Sequence, residues 1–287
     1  MSLTSIKNYF SLIKFSHTIF AMPFACIGYA LAIAKENYRF DWRLFLLVIL
    51  CMVFARSAAM AFNRYIDSHI DGLNPRTAIR EIPAGTIPKK NALFFVVITC
   101  SLFIATTFFI NPICFYLSPV ALFVVLFYSY TKRFTPLCHL VLGIGLSLAP
   151  IGAYLAVTGE FDLLPLLFSL SVLTWVSGFD ILYALQDEEF DRENGLKSIP
   201  VLLGRKNAMM VSNLLHLITA ILVIYIGYQY LSSTLYIIGS FIFVGLLIYQ
   251  HTLVKPNDIS KVNLAFGTTN GVASVLYSIF VITSLLF

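Results

Sequence analysis

The sequence has few charged residues. Asp, Glu, Lys and Arg together make up 11% of its 287 residues, whereas soluble domains contain about 25%. Hydrophobic residues make up 59%, and the mean hydropathy is +0.86. So little charge excludes an ordinary soluble domain and predicts a polytopic membrane protein.

Cysteine is also scarce, and the five cysteines form no Cys-x-x-Cys pair. All lie in or beside apolar runs, at Cys26, Cys51, Cys100, Cys114 and Cys138. This pattern favours packed thiols over a disulfide framework or a zinc site. The net charge of +5 would suit nucleic acid, but the basic residues are spread over short loops between apolar runs. We therefore predict no nucleic-acid partner.

The sequence is rich in long apolar runs. Nine are long enough to span a membrane, because about 20 helical residues cross its hydrocarbon core. They fall at about 15–34, 42–62, 91–110, 112–130, 137–157, 163–186, 207–229, 232–250 and 262–287. The first ends in Ala32-Ile33-Ala34 like a secretory signal, but its length favours a retained helix. The least distinct division is Asn111-Pro112, which we interpret as a tight turn.

The basic residues predict how the helices are oriented. Lys and Arg concentrate in cytoplasmic loops, and an inside N-terminus puts 15 of the 19 basic residues in cytoplasmic segments. We therefore predict a single polytopic domain over residues 1–287, integral to the inner (cytoplasmic) membrane of the cell. The N-terminus and the loops that carry the candidate site would be cytoplasmic.

One group of polar residues follows the second apolar run. Asn63, Asp67 and Asp71 recur every four positions, which places them on one face of a helix. We call them the first acidic set. Carboxylates beside a bilayer are costly unless they are paired, hydrated or bound to a cation, so this face predicts a functional site.

A second acidic set begins within the end of the sixth apolar run and continues just beyond it. It comprises Asp180, Tyr183, Asp187 and Asp191, whose spacings predict one helical stripe. Asp67 and Asp187 are 120 positions apart, as are Asp71 and Asp191. This offset suggests an internal parallel repeat of about four helices, which would place the two sets opposite each other across a central cavity. The remaining nearby acids, Glu188, Glu189 and Glu193, we interpret as solvated.

Facing carboxylates next to basic residues predict a site for Mg²⁺ and a diphosphate. Mg²⁺ is commonly bound by one or two carboxylates together with substrate phosphates. The nearby cations that could hold phosphate oxygens are Arg76, Arg80, Lys132, Arg133 and Lys197.

The motifs around both acidic sets resemble those of a known family. Asn63-x-x-x-Asp67-x-x-x-Asp71, then Arg76-Thr77-Ala78-x-Arg80-x-x-Pro83-x-Gly85, with Asp187-x-x-x-Asp191 downstream, are similar to the two signatures of the UbiA superfamily of intramembrane aromatic prenyltransferases. The resemblance covers nearly the whole chain. It implies an all-α membrane protein with nine transmembrane helices around a central cavity.

The resemblance also implies which residues form the site. Asn63, Asp67 and Asp71 would bind one magnesium-diphosphate unit and Asp187 and Asp191 the other, which makes the four aspartates the candidate catalytic residues. Tyr130-x-Lys132-Arg133 resembles the family's basic diphosphate loop. The candidate substrate-binding residues are Arg56, Asn63, Arg76, Arg80, Lys132, Arg133, Asp180, Tyr183 and Lys197.

The implied activity is transfer of a polyprenyl group from an allylic polyprenyl diphosphate to an aromatic acid. The motif looks closest to the 4-hydroxybenzoate-like branch, which also includes dihydroxynaphthoate enzymes. The first candidate acceptor is 4-hydroxybenzoate, of ubiquinone biosynthesis. The alternative acceptor is a dihydroxynaphthoate of menaquinone biosynthesis. A cation-coupled transporter is the alternative from a different class, although transport acids favour broken helices near the middle of the bilayer.

Arg56 lies within the second apolar run, on the same helical face as Asn63. A lone intramembrane arginine is costly. Either it pairs structurally with Asp180, or it contacts the diphosphate or a carboxylate of the acceptor; we favour the contact with substrate.

Aromatic and histidine side chains near the acidic sets allow further interpretations. Tyr65 and Tyr183 could offer ring faces to a cation or pack in the core, and His17 could line the acceptor pocket. The other histidines have no ligand spacing, and we assign no role to His69, His139, His216 and His251.

Overall fold

A computed structural model of the protein describes residues 3–14, 20–35 and 38–287. These residues fold into helices joined by loops, of which the segment 74–88 between α3 and α4 is a long one. The helices are α1 (Leu3–Leu12), α2 (Met22–Ile33), α3 (Trp42–Leu73), α4 (Lys89–Phe108), α5 (Pro112–Thr131), α6 (Cys138–Thr158), α7 (Leu163–Ala184), α8 (Glu188–Glu193), α9 (Ile199–Gln229), α10 (Thr234–Leu253) and α11 (Asn270–Leu286). A 3₁₀ turn, Leu185–Asp187, precedes α8, and a π-helical stretch, Leu264–Thr269, precedes α11.

The predicted apolar segments correspond to helices. Eight helical segments in the described ranges are long and apolar enough to cross a membrane, and α2 is a shorter apolar helix. The first predicted span began at residue 15, but α2 begins at Met22 and has 12 residues. Its length of about 18 Å is less than the hydrocarbon thickness. Residues 15–19, including His17, lie outside the described residues.

The predicted division at Asn111-Pro112 is confirmed. Asn111 is extended and its side chain accepts a hydrogen bond from the Cys114 N–H, while Pro112 occupies the first turn of α5. Proline suits this position because its missing N–H would have no helical partner. The Asn111 amide also donates to the Leu155 carbonyl at 2.8 Å, which joins this turn to the end of α6.

The core is centred on α7, which packs between α6 and α9. Trp175 is fully buried there, and its indole N–H donates to the Asn270 side chain at 3.1 Å. A close approach of α2 to α6 depends on Gly28, because a Cβ at that position would lie 2.0 Å from the Pro150 carbonyl oxygen. Small residues allow this kind of close packing between membrane helices.

The helix formed by the sixth apolar run is interrupted near the second acidic set. It ends at Ala184, the 3₁₀ turn follows, and a separate short helix begins at Glu188. The second acidic set therefore does not lie on one uninterrupted α-helix, as the spacing predicted, but is divided between α7, the 3₁₀ turn and α8. The regular helix is broken at Asp187, whose ψ of 1° departs from the helical value.

Candidate active site

The first acidic set lies on α3, as predicted. This helix runs without a break past the predicted end at residue 62 to Leu73, which carries the set beyond the apolar segment. The Asn63 amide donates to Asp67 at 3.0 Å, and Asp71, one turn further on, is buried. The continuous helix keeps all three side chains facing the same cavity.

The second acidic set lies across a polar cavity from the first. The cavity has a volume of about 160 Å³. Its lining includes Asn63, Asp67, Asp71, Arg76, Arg80, Tyr128, Lys132, Arg133, His139, Asp180, Tyr183, Asp187 and Asp191. The two sets face each other although the second is divided between α7, the 3₁₀ turn and α8. The proposed internal repeat would produce such an arrangement, but the repeat itself stays a prediction.

Each of the four candidate catalytic carboxylates forms an ion pair. The pairs are Asp67 with Arg133 at 2.8 Å, Asp71 with Arg80 at 2.6 Å, Asp187 with Arg76 at 2.6 Å and Asp191 with Lys132 at 2.8 Å. The Asp187 pair is bidentate, because the Arg76 Nε also donates to it at 3.0 Å. All four cations come from the loops after α3 and α5, so these loops balance the charge of both acidic sets.

The surroundings of Lys132 and Arg76 keep both side chains charged. Burial lowers the pKa of Lys132, but the Asp191 carboxylate and then Asp187 outweigh it and raise that pKa above its ordinary value. Burial likewise lowers the pKa of Arg76. The hydrogen bond to Asp187 and the charge of that carboxylate outweigh burial and raise the pKa above its ordinary value. Two permanent cations therefore lie beside the second acidic set.

The donor set fits a divalent cation bound together with a substrate. Asp71 Oδ2 and Asp191 Oδ2 are buried oxygens with no hydrogen-bond partner in the described part of the chain, and such orphans suit an incoming cation. Nowhere in the described ranges do three or more His, Cys, Asp or Glu side chains converge as metal ligands. Mg²⁺ held by two carboxylates would need water and phosphate oxygens to complete its six ligands.

A second, larger cavity opens from the polar one. It has a volume of about 720 Å³ and an apolar lining from α3, α5 and α6. It follows α3 from Asn63 back to Val48, a distance of about 22 Å along the helix. The residues that line both cavities are Asn63, Arg76, Arg80, Tyr128, Asp180 and Tyr183. A ligand at this junction can place a charged group in one cavity and an apolar group in the other.

Arg56 lines the larger cavity and does not pair with Asp180. The Asp180 carboxylate contacts His139 Nδ1 instead, at 2.7 Å. Among the described residues, Arg56 forms no ion pair, and its buried Nε has no hydrogen-bond partner. The structural alternative, an Arg56–Asp180 pair, is therefore wrong, and the guanidinium is available to a ligand.

Two predicted residues lie outside both cavities. The Tyr65 ring contacts the Lys89 ammonium, 4.9 Å from the ring centre, instead of facing the site. The Lys197 ammonium donates to the Phe134 carbonyl at 3.3 Å. Tyr183, in contrast, lies at the junction and stacks on Phe266 with ring centres 4.0 Å apart.

The structure adds three residues that sequence reasoning did not assign to the site. Tyr128 lines both cavities, and its position four residues before Lys132 places it on the same face of α5. Arg64 is buried beside Asp71 at 4.0 Å. His139 contacts Asp180 from 41 positions away in the chain, which no local spacing could indicate.

The interpretation of Glu188 as a solvated residue is wrong, whereas Glu189 and Glu193 are exposed. Glu188 is 7% exposed and bridges Arg192 and Arg205. We expect Glu188→Gln to lower the free energy of unfolding by about 2 kcal/mol, because hydrogen bonds to a charged group are lost.

The matched control for this prediction is Glu189→Gln, which should leave stability unchanged. The midpoint of thermal unfolding in detergent checks both variants. Equal midpoints for the two would contradict the bridging role of Glu188.

Comparison with known proteins gives a consistent family. The model of the UbiA prenyltransferase family matches residues 21–279. A 4-hydroxybenzoate octaprenyltransferase of Aliivibrio salmonicida (strain LFI1238) is 30% identical over 280 residues, which cover 96% of this chain and 97% of that protein. The enzyme of the same name from Aliivibrio fischeri (strain MJ11) is 33% identical over 243 residues, 83% of this chain and 82% of the relative.

Solved structures share the fold. The apo structure of a UbiA homolog from Aeropyrum pernix K1 has a TM-score of 0.85 and 32% identity, covering 94% of this chain and 98% of that one. A UbiA homolog from Archaeoglobus fulgidus bound to DMAPP and Mg²⁺ has a TM-score of 0.78 at 19% identity, covering 97% and 99%. The family match, the relatives and the fold agree: this chain belongs to the UbiA prenyltransferase family and is an integral membrane prenyltransferase.

Proposed function

We propose that this enzyme transfers a polyprenyl group from an allylic polyprenyl diphosphate to a ring carbon of an aromatic acid. The first candidate acceptor is 4-hydroxybenzoate, in ubiquinone biosynthesis, and the alternative is a dihydroxynaphthoate, in menaquinone biosynthesis. The observation that carries the proposal is the junction of two cavities. The polar cavity contains four carboxylates and their cations, and the large apolar cavity is lined by Arg56, which has no ion-pair partner among the described residues. The names of the curated relatives support the acceptor class.

The polar cavity would bind the diphosphate with Mg²⁺. Homologs from Archaeoglobus fulgidus were solved with DMAPP and Mg²⁺ and with GPP and Mg²⁺, which supports this assignment. The residues that would hold the metal are Asn63, Asp67, Asp71, Asp187 and Asp191. When bound, Mg²⁺ would offset the negative charge that develops on the departing diphosphate.

The basic residues would bind the phosphate oxygens directly. Arg76, Arg80, Lys132 and Arg133 already lie in the polar cavity, each with a carboxylate partner that an anion can replace. Arg76 holds Asp187 in a bidentate geometry, which also matches two phosphate oxygens. Cations fixed in this way stabilise charge on the leaving group without moving far.

The apolar cavity would protect the allylic carbon from water. As the bond between C1 and oxygen breaks, the electron pair leaves with the diphosphate and an allyl cation forms, which water would quench as an alcohol. The Tyr183 ring, held by Phe266, lies at the junction and can stabilise that cation. A ring carbon ortho to a phenolic hydroxyl then forms the new bond to C1, and loss of the ring proton restores aromaticity. The polyprenyl tail would extend towards the lipid bilayer.

Arg56 would bind the carboxylate of the acceptor. It lies two helical turns from Asn63 along α3, on the face that lines the large cavity. A buried guanidinium without an anion is costly, so an acceptor carboxylate would stabilise it. The transporter alternative has less support, because the first acidic set lies at the end of an unbroken α3 and all four candidate catalytic aspartates have basic partners. The N-terminus and the polar cavity would lie on the cytoplasmic side of the inner membrane.

The test is an assay of purified protein in detergent with a polyprenyl diphosphate, Mg²⁺ and each candidate acceptor in turn. We expect a prenylated product of one aromatic acid, identified by mass, and none after chelation of divalent cations. The acceptor that gives product decides between the two quinone routes. Binding of a non-hydrolysable allylic diphosphate without turnover of either acid would contradict the proposed acceptor class.

A further inference from the structure

Asp180 occupies the place where the two substrates would meet. It lines both the polar and the apolar cavity, together with Tyr128 and Tyr183. It forms no ion pair with a Lys or Arg in the described ranges of the chain, unlike the four candidate metal-binding aspartates, and its side chain is 20% exposed. A carboxylate here would face an acceptor bound in the larger cavity as well as a diphosphate bound in the polar one.

His139 is the partner of this carboxylate. Its Nδ1 lies 2.7 Å from Asp180 Oδ2, and its side chain is 3% exposed. Its Nε2 lies 3.4 Å from the backbone N–H of Ile199, which donates to it. Because Nε2 accepts a hydrogen bond, the ring proton of the neutral imidazole is on Nδ1 and is donated to Asp180.

The backbone of His139 is hydrogen-bonded to α7, which fixes the position of this residue. The His139 carbonyl accepts a hydrogen bond from Ser177 Oγ at 3.1 Å, and Ser177 precedes Asp180 on α7 by one helical turn. Close packing supports this contact, since a Cβ at Gly143 would lie 2.3 Å from Ser177 Oγ. The imidazole and the carboxylate are therefore held by two helices with little freedom to separate.

We propose that His139 is a positioning residue that holds the Asp180 carboxylate ready to accept the proton released by the aromatic ring. This inference rests on the proposed function. After the bond from C1 to the ring carbon has formed, the C–H bond at that carbon breaks, its electron pair returns to the ring, and the proton goes to Asp180. His139 keeps its own proton, because its second nitrogen already accepts the Ile199 N–H.

Three variants test this role in the assay above. Wild-type turnover is measured first, so failure of the proposed function is seen separately. We expect Asp180→Asn to lose activity, and His139→Leu to lower kcat by roughly 10- to 100-fold, since a positioned base contributes about 10²- to 10⁴-fold. We expect His139→Gln to retain most of the activity, because an amide can donate to the carboxylate and accept from the Ile199 N–H.

An isotope effect separates this role from a structural one. An acceptor deuterated at the reacting ring carbon should give a larger isotope effect on kcat with His139→Leu than with the wild type, because proton removal becomes slower. Both KM values should change little. The control His216→Gln removes a different buried imidazole, which hydrogen-bonds the Trp175 carbonyl outside both cavities, and should leave the isotope effect unchanged whatever its yield.

Two results would overturn the proposal. One is an unchanged isotope effect in His139→Leu, which would reduce His139 to a packing residue. The other is His139→Gln as inactive as His139→Leu with an equally raised isotope effect, because that would require a proton to pass through the imidazole.

Discussion

Replacement of any one of Asp67, Asp71, Asp187 or Asp191 by Ala is expected to abolish prenyl transfer, with a loss of roughly 10³-fold or more. Each carboxylate lines the polar cavity and pairs with a basic residue. Removing one would take away a proposed metal ligand and would also leave a cation without its partner. The charge arrangement that would stabilise the departing diphosphate is then lost on one side.

The fold should survive these substitutions. The partner cations are partly exposed, with 22% exposure for the Arg80 side chain and 35% for the Lys132 side chain, so water can solvate them. Product detected by mass and magnesium-dependent binding of a non-hydrolysable allylic diphosphate measure the loss.

The matched control for the four aspartates is Asp162→Asn. Asp162 pairs with Lys35 at 2.6 Å outside both cavities. We expect the Asp162→Asn variant to retain activity. If two of the four alanine variants kept activity within a few-fold of the wild type, the model of two carboxylate sites would be wrong.

Arg56→Ala is expected to raise the KM of the aromatic acid by about 10- to 100-fold, because a hydrogen-bonded charge pair contributes about 1.5–3 kcal/mol. The KM of the diphosphate should change little, since the contact serves one substrate only. Arg56→Lys should rescue poorly, because an ammonium does not reproduce the two parallel donors of a guanidinium.

The control for this variant is Arg43→Ala, an exposed arginine on the same helix that lines neither cavity. It should leave both KM values unchanged. An unchanged acceptor KM in well-folded Arg56→Ala would falsify the contact with the carboxylate.

The sequence predicted those parts of the site that depend on one regular helix. Asn63, Asp67 and Asp71 share a face because α3 is continuous, and a spacing of four residues is sufficient to show it. The same reasoning did not foresee the break after Ala184, where a 3₁₀ turn replaces the regular α-helix. Composition did not reveal that break, because the residues around it include no proline or glycine.

Contacts between segments that are distant in the chain could not be predicted from the sequence. A partner for Asp180 could be chosen only by type, which left Arg56 as an alternative, whereas the fold brings His139 of α6 to it. Glu188 looked solvated because it lies in an acidic stretch, but Arg205 from the start of α9 covers it. Tertiary packing decides which charges are buried, and the spacing of residues along the sequence does not show which distant segments pack together.

The four ion pairs of the polar cavity also bear on how the reaction cycle ends. A site whose cations had no internal partners would hold the released diphosphate tightly, and product release would then limit turnover. Here every cation that would bind the product forms an ion pair with a carboxylate. In the proposed reaction, substrate binding would thus be an exchange of anions, and each ion pair that forms again would help to displace the released diphosphate.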